Sequence, residues 1–185
     1  NVLKSKKVNF QFITASENIA WLLNIRGKDS NFTPIPNSYL AVGIDKKIYF
    51  FCDLRKINRS FKMKFKNIIF IDIKNTDLFL SKIKSKKILI DSSSCSIYFE
   101  NILKKNNKIA ESSDPIYLLK SVKSKIEIKN TIKSHIYDGA ALTKFLFWIK
   151  KNYINQNINE ISAQEKLLKF RKQNKNFKFL SFPTI

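Results

Sequence analysis

The chain of 185 residues is short of several things at once, and each shortage narrows what it can do. It has 3 Gly, at positions 27, 43 and 139, each isolated, so no glycine-rich loop is available to cradle a phosphate. It has one histidine, His135, and two cysteines, Cys52 and Cys95, whose spacing fits no metal knuckle, redox motif or disulfide framework. Both cysteines sit in apolar surroundings and read as small buried hydrophobes. Carboxylates are scarce at 14 and scattered, and no serine sits on a strained strand-to-helix elbow. No apolar run approaches the ~20 residues a bilayer-spanning helix needs. The longest, "GAALTKFLFWI", is interrupted by Lys144. The lysine-dotted opening "NVLKSKKVNFQF" has no start Met and no uninterrupted hydrophobic region, so no signal peptide is visible and a truncated N-terminus is expected. The expectation is a cytoplasmic chain with no membrane segment and no membrane partner.

What is plentiful is apolar bulk and positive charge. An apolar content of 44% with 16 Phe supplies ample core and excludes a disordered tail. The net charge is +21, carried almost wholly by lysine, with Arg only at 26, 55, 59 and 171. A basic balance points to an anionic partner. Sequence-reading nucleic-acid sites, however, favour arginine forks. The lysines are also spread along the chain beside abundant Ile, Asn and Phe. That joint skew reads as codon bias toward A/T, and no nucleic-acid partner is expected.

Apolar runs at 9–14, 38–44, 47–53, 67–73 and 86–91 are rich in Ile, Phe, Val and Tyr and read as strands. The second and third are joined across "DKK", which suits a hairpin. Helical pieces are expected at 75–85, at 92–107 with the serines 92–94 as cap, and over "SENIAWLLNI" with Ser16 as cap. Strands alternating with helices imply an α/β fold, with a mixed sheet flanked by helices. Near residue 113 the pattern changes, and "ESSDPIYLLKSVKS" reads as a breaker followed by a linker. A long helix is expected from Lys125 to about Lys151, with Ile128, Ile132, Ile136, Ala140 and Phe145 to Ile149 at helical spacing. Another follows from Glu160 to Gln173 with Asn159 as N-cap, and the closing "FKFLSFPTI" reads as a strand. Two helices and one strand cannot cover that strand's faces, so the chain is expected to be the front part of something larger.

No complete catalytic constellation is present. His135 and Asp138 could pair on one helix face, but no second His or Cys supports a metal site. The loop "WLLNIRGKDSNFTPIPNSY" packs Trp, Arg, Gly, Asp and two Pro between strands, and such a loop suits a binding surface. Either Arg26 pairs with Asp29 in an ordinary crossover, or the two help wall a pocket belonging to another domain.

Several stretches resemble the aminopeptidase P family, the Xaa-Pro aminopeptidases of the creatinase or pita-bread metallopeptidases. "ENIAWLLNIRGKD" followed by "PIPNSYLAV" is similar to that family's IAWLLN-x-RG-x-D segment. "DPIYLLKSVKSKIEI" resembles the entry to its catalytic domain, "HIYDGAALTKFLFWI" and "NEISAQEKLLKFR" two of its helices, and "LSFPTI" a strand. The resemblance implies a creatinase N-terminal-like α/β domain over residues 1–113. It implies that 114–185 open a truncated α+β pita-bread domain with its first helices and strand. The reaction it implies is metal-dependent removal of an N-terminal residue preceding proline. It also implies two divalent ions, typically Mn, a homodimer, and peptides with proline in second position as partners. The family's metal and proton-handling residues lie after the "LSFPTI" strand, so no catalytic or metal residue carries over to this chain, which is expected to be inactive alone. Arg26 and Asp29 remain candidates for a substrate-pocket wall. A non-catalytic pita-bread relative that binds peptides or histones is the alternative, with a basic nucleic-acid-binding module behind it.

Overall fold

The computed structural model describes residues 2–183. The chain divides into two compact units, Asn1–Val122 and Lys123–Ile185.

The first unit is built on six strands: β1 (Phe10–Ile13), β2 (Ser38–Gly43), β3 (Ile48–Cys52), β4 (Ile68–Asp72), β5 (Lys87–Ile90) and β6 (Lys108–Glu111). They form one sheet in the order β4-β3-β2-β1-β5-β6. β2 runs antiparallel to both β1 and β3, and the other pairings are parallel. The sheet is therefore mixed, as its sequence pattern requires. The β2–β3 hairpin turns at Ile44–Lys47, where Lys46 takes a left-handed φ of 68°.

Side chains alternate between two cores because successive strand residues face opposite sides. Phe12, Ala41, Phe51, Ile88, Ile90 and Leu103 gather on one face, with α4 (Thr76–Lys82) and α5 (Ile97–Lys104) above them. Ile13, Leu40, Phe50 and Cys52 gather on the other, with Ile19 of α2 (Ser16–Leu22) and Ile116 of α6 (Pro115–Ser121). Adjacent Phe50 and Phe51 serve opposite cores at 1% and 0% exposure, so "IYFFC" needs no polar face. A sheet covered on both sides reads as an unbroken apolar run. The edges are β4, reached from β3 through the short helix α3 (Arg59–Lys64), and β6. A short α1 (Val2–Ser5) precedes β1.

Capping sets the helix starts and corrects three expectations. α2 begins at Ser16 itself after Ala15, with no side-chain cap. α5 starts at Ile97 rather than Ser92, because Ser96 caps it by accepting from the Phe99 N–H, while 92–95 form a turn on Asp91. The supposed linker after 113 contains α6: Asp114 accepts from the Ile116 N–H, and Pro115 suits a first-turn position with no amide to satisfy. α6 packs against α2, so the first unit extends to Val122.

In the second unit, α7 (Lys125–Asn152) is a single helix of 28 residues, started by a capping box between Ser124 and Glu127. α8 (Glu160–Lys172) has the expected cap at Asn159 and packs along α7. The expected closing strand is not formed over 177–183, and Thr184 and Ile185 lie outside the described residues. No strand of the second unit is there to share a ladder with it among the described residues, and a lone strand has no hydrogen-bond partners. The apolar positions of α7 are helical as expected but mostly exposed: Ile128 at 49%, Ile132 at 57% and Ile136 at 65%.

Candidate functional site

The loop between α2 and β2 holds its shape through backbone contacts. The Gly27 N–H donates to the Pro34 carbonyl at 3.1 Å and the Asp29 N–H to the Ile35 carbonyl at 3.4 Å, so the loop doubles back on itself. A Cβ at position 27 would meet the Pro36 nitrogen at 2.5 Å and the Ile35 carbonyl carbon at 2.6 Å. Only glycine permits that approach.

Arg26 and Asp29 flank this glycine but are not paired with each other. The Arg26 guanidinium donates through Nη1 to the Ile25 carbonyl at 2.8 Å, and the side chain is exposed. Asp29 accepts from the Asn37 N–H at 2.8 Å and forms an ion pair with Lys56. The Lys56 ammonium foremost, then the Asn37 N–H, holds the Asp29 carboxyl below its ordinary value. The two residues thus stand on one rigid loop, with Asp29 committed to bracing it and Arg26 exposed but folded back on the Ile25 and Ala20 carbonyls.

The strand-exit end of β1, β5 and β6 carries a polar anchor with no recognisable signature in the sequence. Asp114, 3% exposed, accepts from Gln11 Nε2 at 2.8 Å and from Asn18 Nδ2 at 2.7 Å, besides capping α6. Its own N–H donates to Asp91 Oδ2 at 2.8 Å, and Asp91 Oδ1 accepts from Ser93. Lys120 closes the set by donating to Asn18 Oδ1 at 2.6 Å. Burial pushes the Asp91 carboxyl upward, but the Ser93 hydroxyl and the Asp114 and Ser93 amides outweigh it and hold the carboxyl low. Beside the anchor, burial and a hydrogen bond to Glu17 push the Tyr117 phenol up to about 12. Every buried side-chain polar atom described has a partner, so the anchor is a complete network, suited to fixing α6.

In the second unit, an open cleft of about 530 Å³ is lined by His135, Asp138, Arg171 and Phe177 among others. The expected His135–Asp138 pair does not form. Asp138 instead takes a two-pronged contact from Arg171 of α8, at 2.7 Å from Nε and 3.2 Å from Nη2, the fork geometry that suits a carboxylate. Among the described residues no three His, Cys, Asp or Glu side chains cluster closely enough to hold a metal ion. Both cysteines are buried, and burial pushes each thiol up to about 11.

Residues 1–127 match the Creatinase/Prolidase N-terminal domain. The chain belongs to this family. Over 99% of its length it is 33% identical to Xaa-Pro aminopeptidase 1 of Dictyostelium discoideum and 34% identical to Xaa-Pro aminopeptidase ApepP of Drosophila melanogaster. It spans only 30% and 31% of those relatives. Its fold superimposes on the X-prolyl aminopeptidase of Caenorhabditis elegans with a TM-score of 0.87 at 25% identity, covering 98% of this chain and 31% of that one. That relative is described as a cytosolic enzyme with a di-nuclear active site. A Xaa-Pro dipeptidase of Bacillus anthracis shares the fold at a TM-score of 0.65 and 15% identity, over 93% of this chain and 46% of that one. The creatinase/prolidase sheet with helices on both faces is the architecture described above.

Proposed function

We propose that this chain is part of a metal-dependent Xaa-Pro aminopeptidase that removes an N-terminal residue preceding proline. The observation that carries this reading is the reach of the likeness: nearly the whole chain, both units included, matches enzymes of that one specificity. On this reading the first unit, through Val122 rather than ending at residue 113, is the creatinase-like domain, and the second unit opens the pita-bread catalytic domain. The protein works in the cytoplasm as a homodimer on peptides with proline in second position. Two divalent ions, of which manganese suits oxygen-rich ligands, supply Lewis-acid chemistry and an activated water when bound.

The residues described here do not fit that metal centre. They hold no carboxylate cluster, and Asp138 is engaged by Arg171. The chain's share is scaffolding and substrate access. The loop carrying Arg26 and Asp29 is the proposed pocket wall, supported by its rigidity and by the exposure of Arg26.

The test is hydrolysis of Xaa-Pro peptides by the protein at its natural length with Mn added, beside the 185-residue chain under the same conditions. Turnover by the former alone is expected. Turnover by the 185-residue chain, or none by the longer protein on any Xaa-Pro peptide, overturns the reading.

A further inference from the structure

The lysines are scattered in the sequence, but the fold gathers many of them. β1, β3, β4, β5 and β6 all start at one end of the sheet, and β2 ends there. The connections at that end carry Lys66 before β4, Lys84 and Lys86 before β5, and Lys105 before β6. Lys87 and Lys108 are the first residues of β5 and β6. All six are exposed, and none makes an ion pair with a described residue. Lys87 and Lys108 are register neighbours on adjacent strands, so two like charges stand side by side. Five of the six cluster at the entries of β5 and β6, and Lys66 stands four strands away at the β4 edge, roughly 19 Å off at about 4.8 Å per strand.

Acidic residues avoid this end. Of the acidic residues of the first unit, Asp45 alone lies in these connections, where it pairs with Lys47 at 3.6 Å. Asp53, Asp72, Asp91 and Asp114 all follow strand exits at the opposite end. Codon bias raises the number of lysines but does not sort them by end. Favourable charge at helix C-termini explains Lys64, Lys82 and Lys104, which sit in last turns and are not among the six, and of the six it explains Lys105, the C-cap of α5. Guarding an open sheet edge explains Lys108 but not the five others.

We infer that this strand-entry end is a docking face for an acidic phospholipid surface. Five of the six lysines crowd the entries of the adjacent strands β5 and β6, within about a Debye length of one another, so their fields add, while Lys66 extends the positive end to the opposite edge. Lysine is a strongly hydrated point charge without arginine's fork, and none of the four arginines lies in these connections. A row of such charges suits mobile anionic headgroups better than the fixed phosphate geometry of a nucleic acid. No described helix is long and apolar enough to cross a membrane, so the contact is a surface one. This face is independent of the proposed peptidase reading and stands or falls separately.

The experiment is sedimentation of the natural-length protein with vesicles of phosphatidylcholine, with and without about 30% phosphatidylserine, at low and high salt. Each lysine near such a surface strengthens binding about fivefold, so changing the six together (K66Q, K84Q, K86Q, K87Q, K105Q, K108Q) is expected to weaken it at least about 100-fold. A charge-matched control changing Lys129, Lys150, Lys151, Lys169, Lys172 and Lys175 to Gln is expected to stay within about threefold of the parent. Acylation footprinting of the unmutated protein reads the same face without substitutions: the six lysines gain protection with acidic vesicles only. Equal loss in both variants, equal binding to pure phosphatidylcholine, or absence of protection overturns the proposal. Displacement of the protein from vesicles by equimolar duplex RNA, dependent on the same six lysines, overturns it in favour of nucleic acid.

Discussion

Replacing Asp114 with Ala tests whether the buried anchor, rather than apolar packing alone, fixes α6. The carboxylate accepts three hydrogen bonds: from Gln11 Nε2 at 2.8 Å, Asn18 Nδ2 at 2.7 Å and the Ile116 N–H at 3.0 Å. Losing the helix cap costs about 1 kcal/mol. Gln11 at 7% exposure and Asn18 at 0% are left as buried donors, each costing ~1–3 kcal/mol when its partner disappears. These effects share one network and do not simply add, so about 3 kcal/mol is expected. Asp114→Asn keeps the size and one acceptor oxygen, so its loss should be about half of that. The assay is urea unfolding read by Trp21, whose side chain packs against the α2–α6 core, in a W148F background that silences the second unit. At a typical urea slope of ~1–3 kcal/mol per molar, the Ala variant should unfold at least about 1 M earlier. An unchanged midpoint for Asp114→Ala would show that α6 is held by Ile116 and its apolar neighbours alone.

Further outcomes follow from the same geometry. The folded Asp91 carboxyl sits below its ordinary 3.8, so its contribution is fully present above that value and disappears as pH falls through the folded one; urea midpoints measured downward from pH 5 should drop less steeply in Asp91→Asn. Cys52 and Cys95 are buried with thiols pushed up to about 11, so a thiol reagent at pH 8 should react with neither until urea is added. On the proposed peptidase reading, Arg26→Ala in the natural-length protein should raise KM or shift peptide-length preference while metal content stays unchanged; identical kinetics across peptide lengths remove Arg26 from the pocket wall. The exposed apolar positions of α7 should make the 185-residue chain bind a hydrophobic dye in its folded state, and Ile132→Glu should reduce that signal without lowering the unfolding midpoint.

The strands were legible wherever both faces carry apolar side chains, because "IYFFC" and "KILI" cannot tolerate solvent on either side. β6 was not, since "KIAE" is a four-residue edge strand whose pairing with β5 comes from tertiary register rather than local preference. α6 was hidden for the opposite reason. Its start, Ser-Asp-Pro, is both a loop breaker and a helix N-terminus, and only the Asp114 contacts decide between them. Arg26 and Asp29 were identifiable as unusual loop residues. Their separate partners were not, because Lys56 reaches Asp29 from 27 positions away. The anchor escaped for the same reason: Gln11 and Asn18 meet Asp114 across 103 and 96 positions, and single Asn and Gln residues carry no local signal of burial.

The α7 stripe shows how far periodicity reaches. Ile128, Ile132 and Ile136 recur every four residues, which specifies a helix and one apolar face but not what covers that face. Among the described residues α8 covers another part of α7, where Ala141 is buried, and the three isoleucines remain open. Covering half of an Ile side chain is worth ~1 kcal/mol, so the three together offer ~3 kcal/mol. Association between separate molecules costs ~4–15 kcal/mol before any gain appears, so this stripe alone cannot hold a tight dimer. A segment joined covalently to α7 escapes most of that cost. The magnitudes therefore favour a cover belonging to the same polypeptide over a second copy. The test is the concentration dependence of the chain's sedimentation: association no tighter than about 100 µM fits this reasoning, and a nanomolar dimer abolished by Ile132→Glu refutes it.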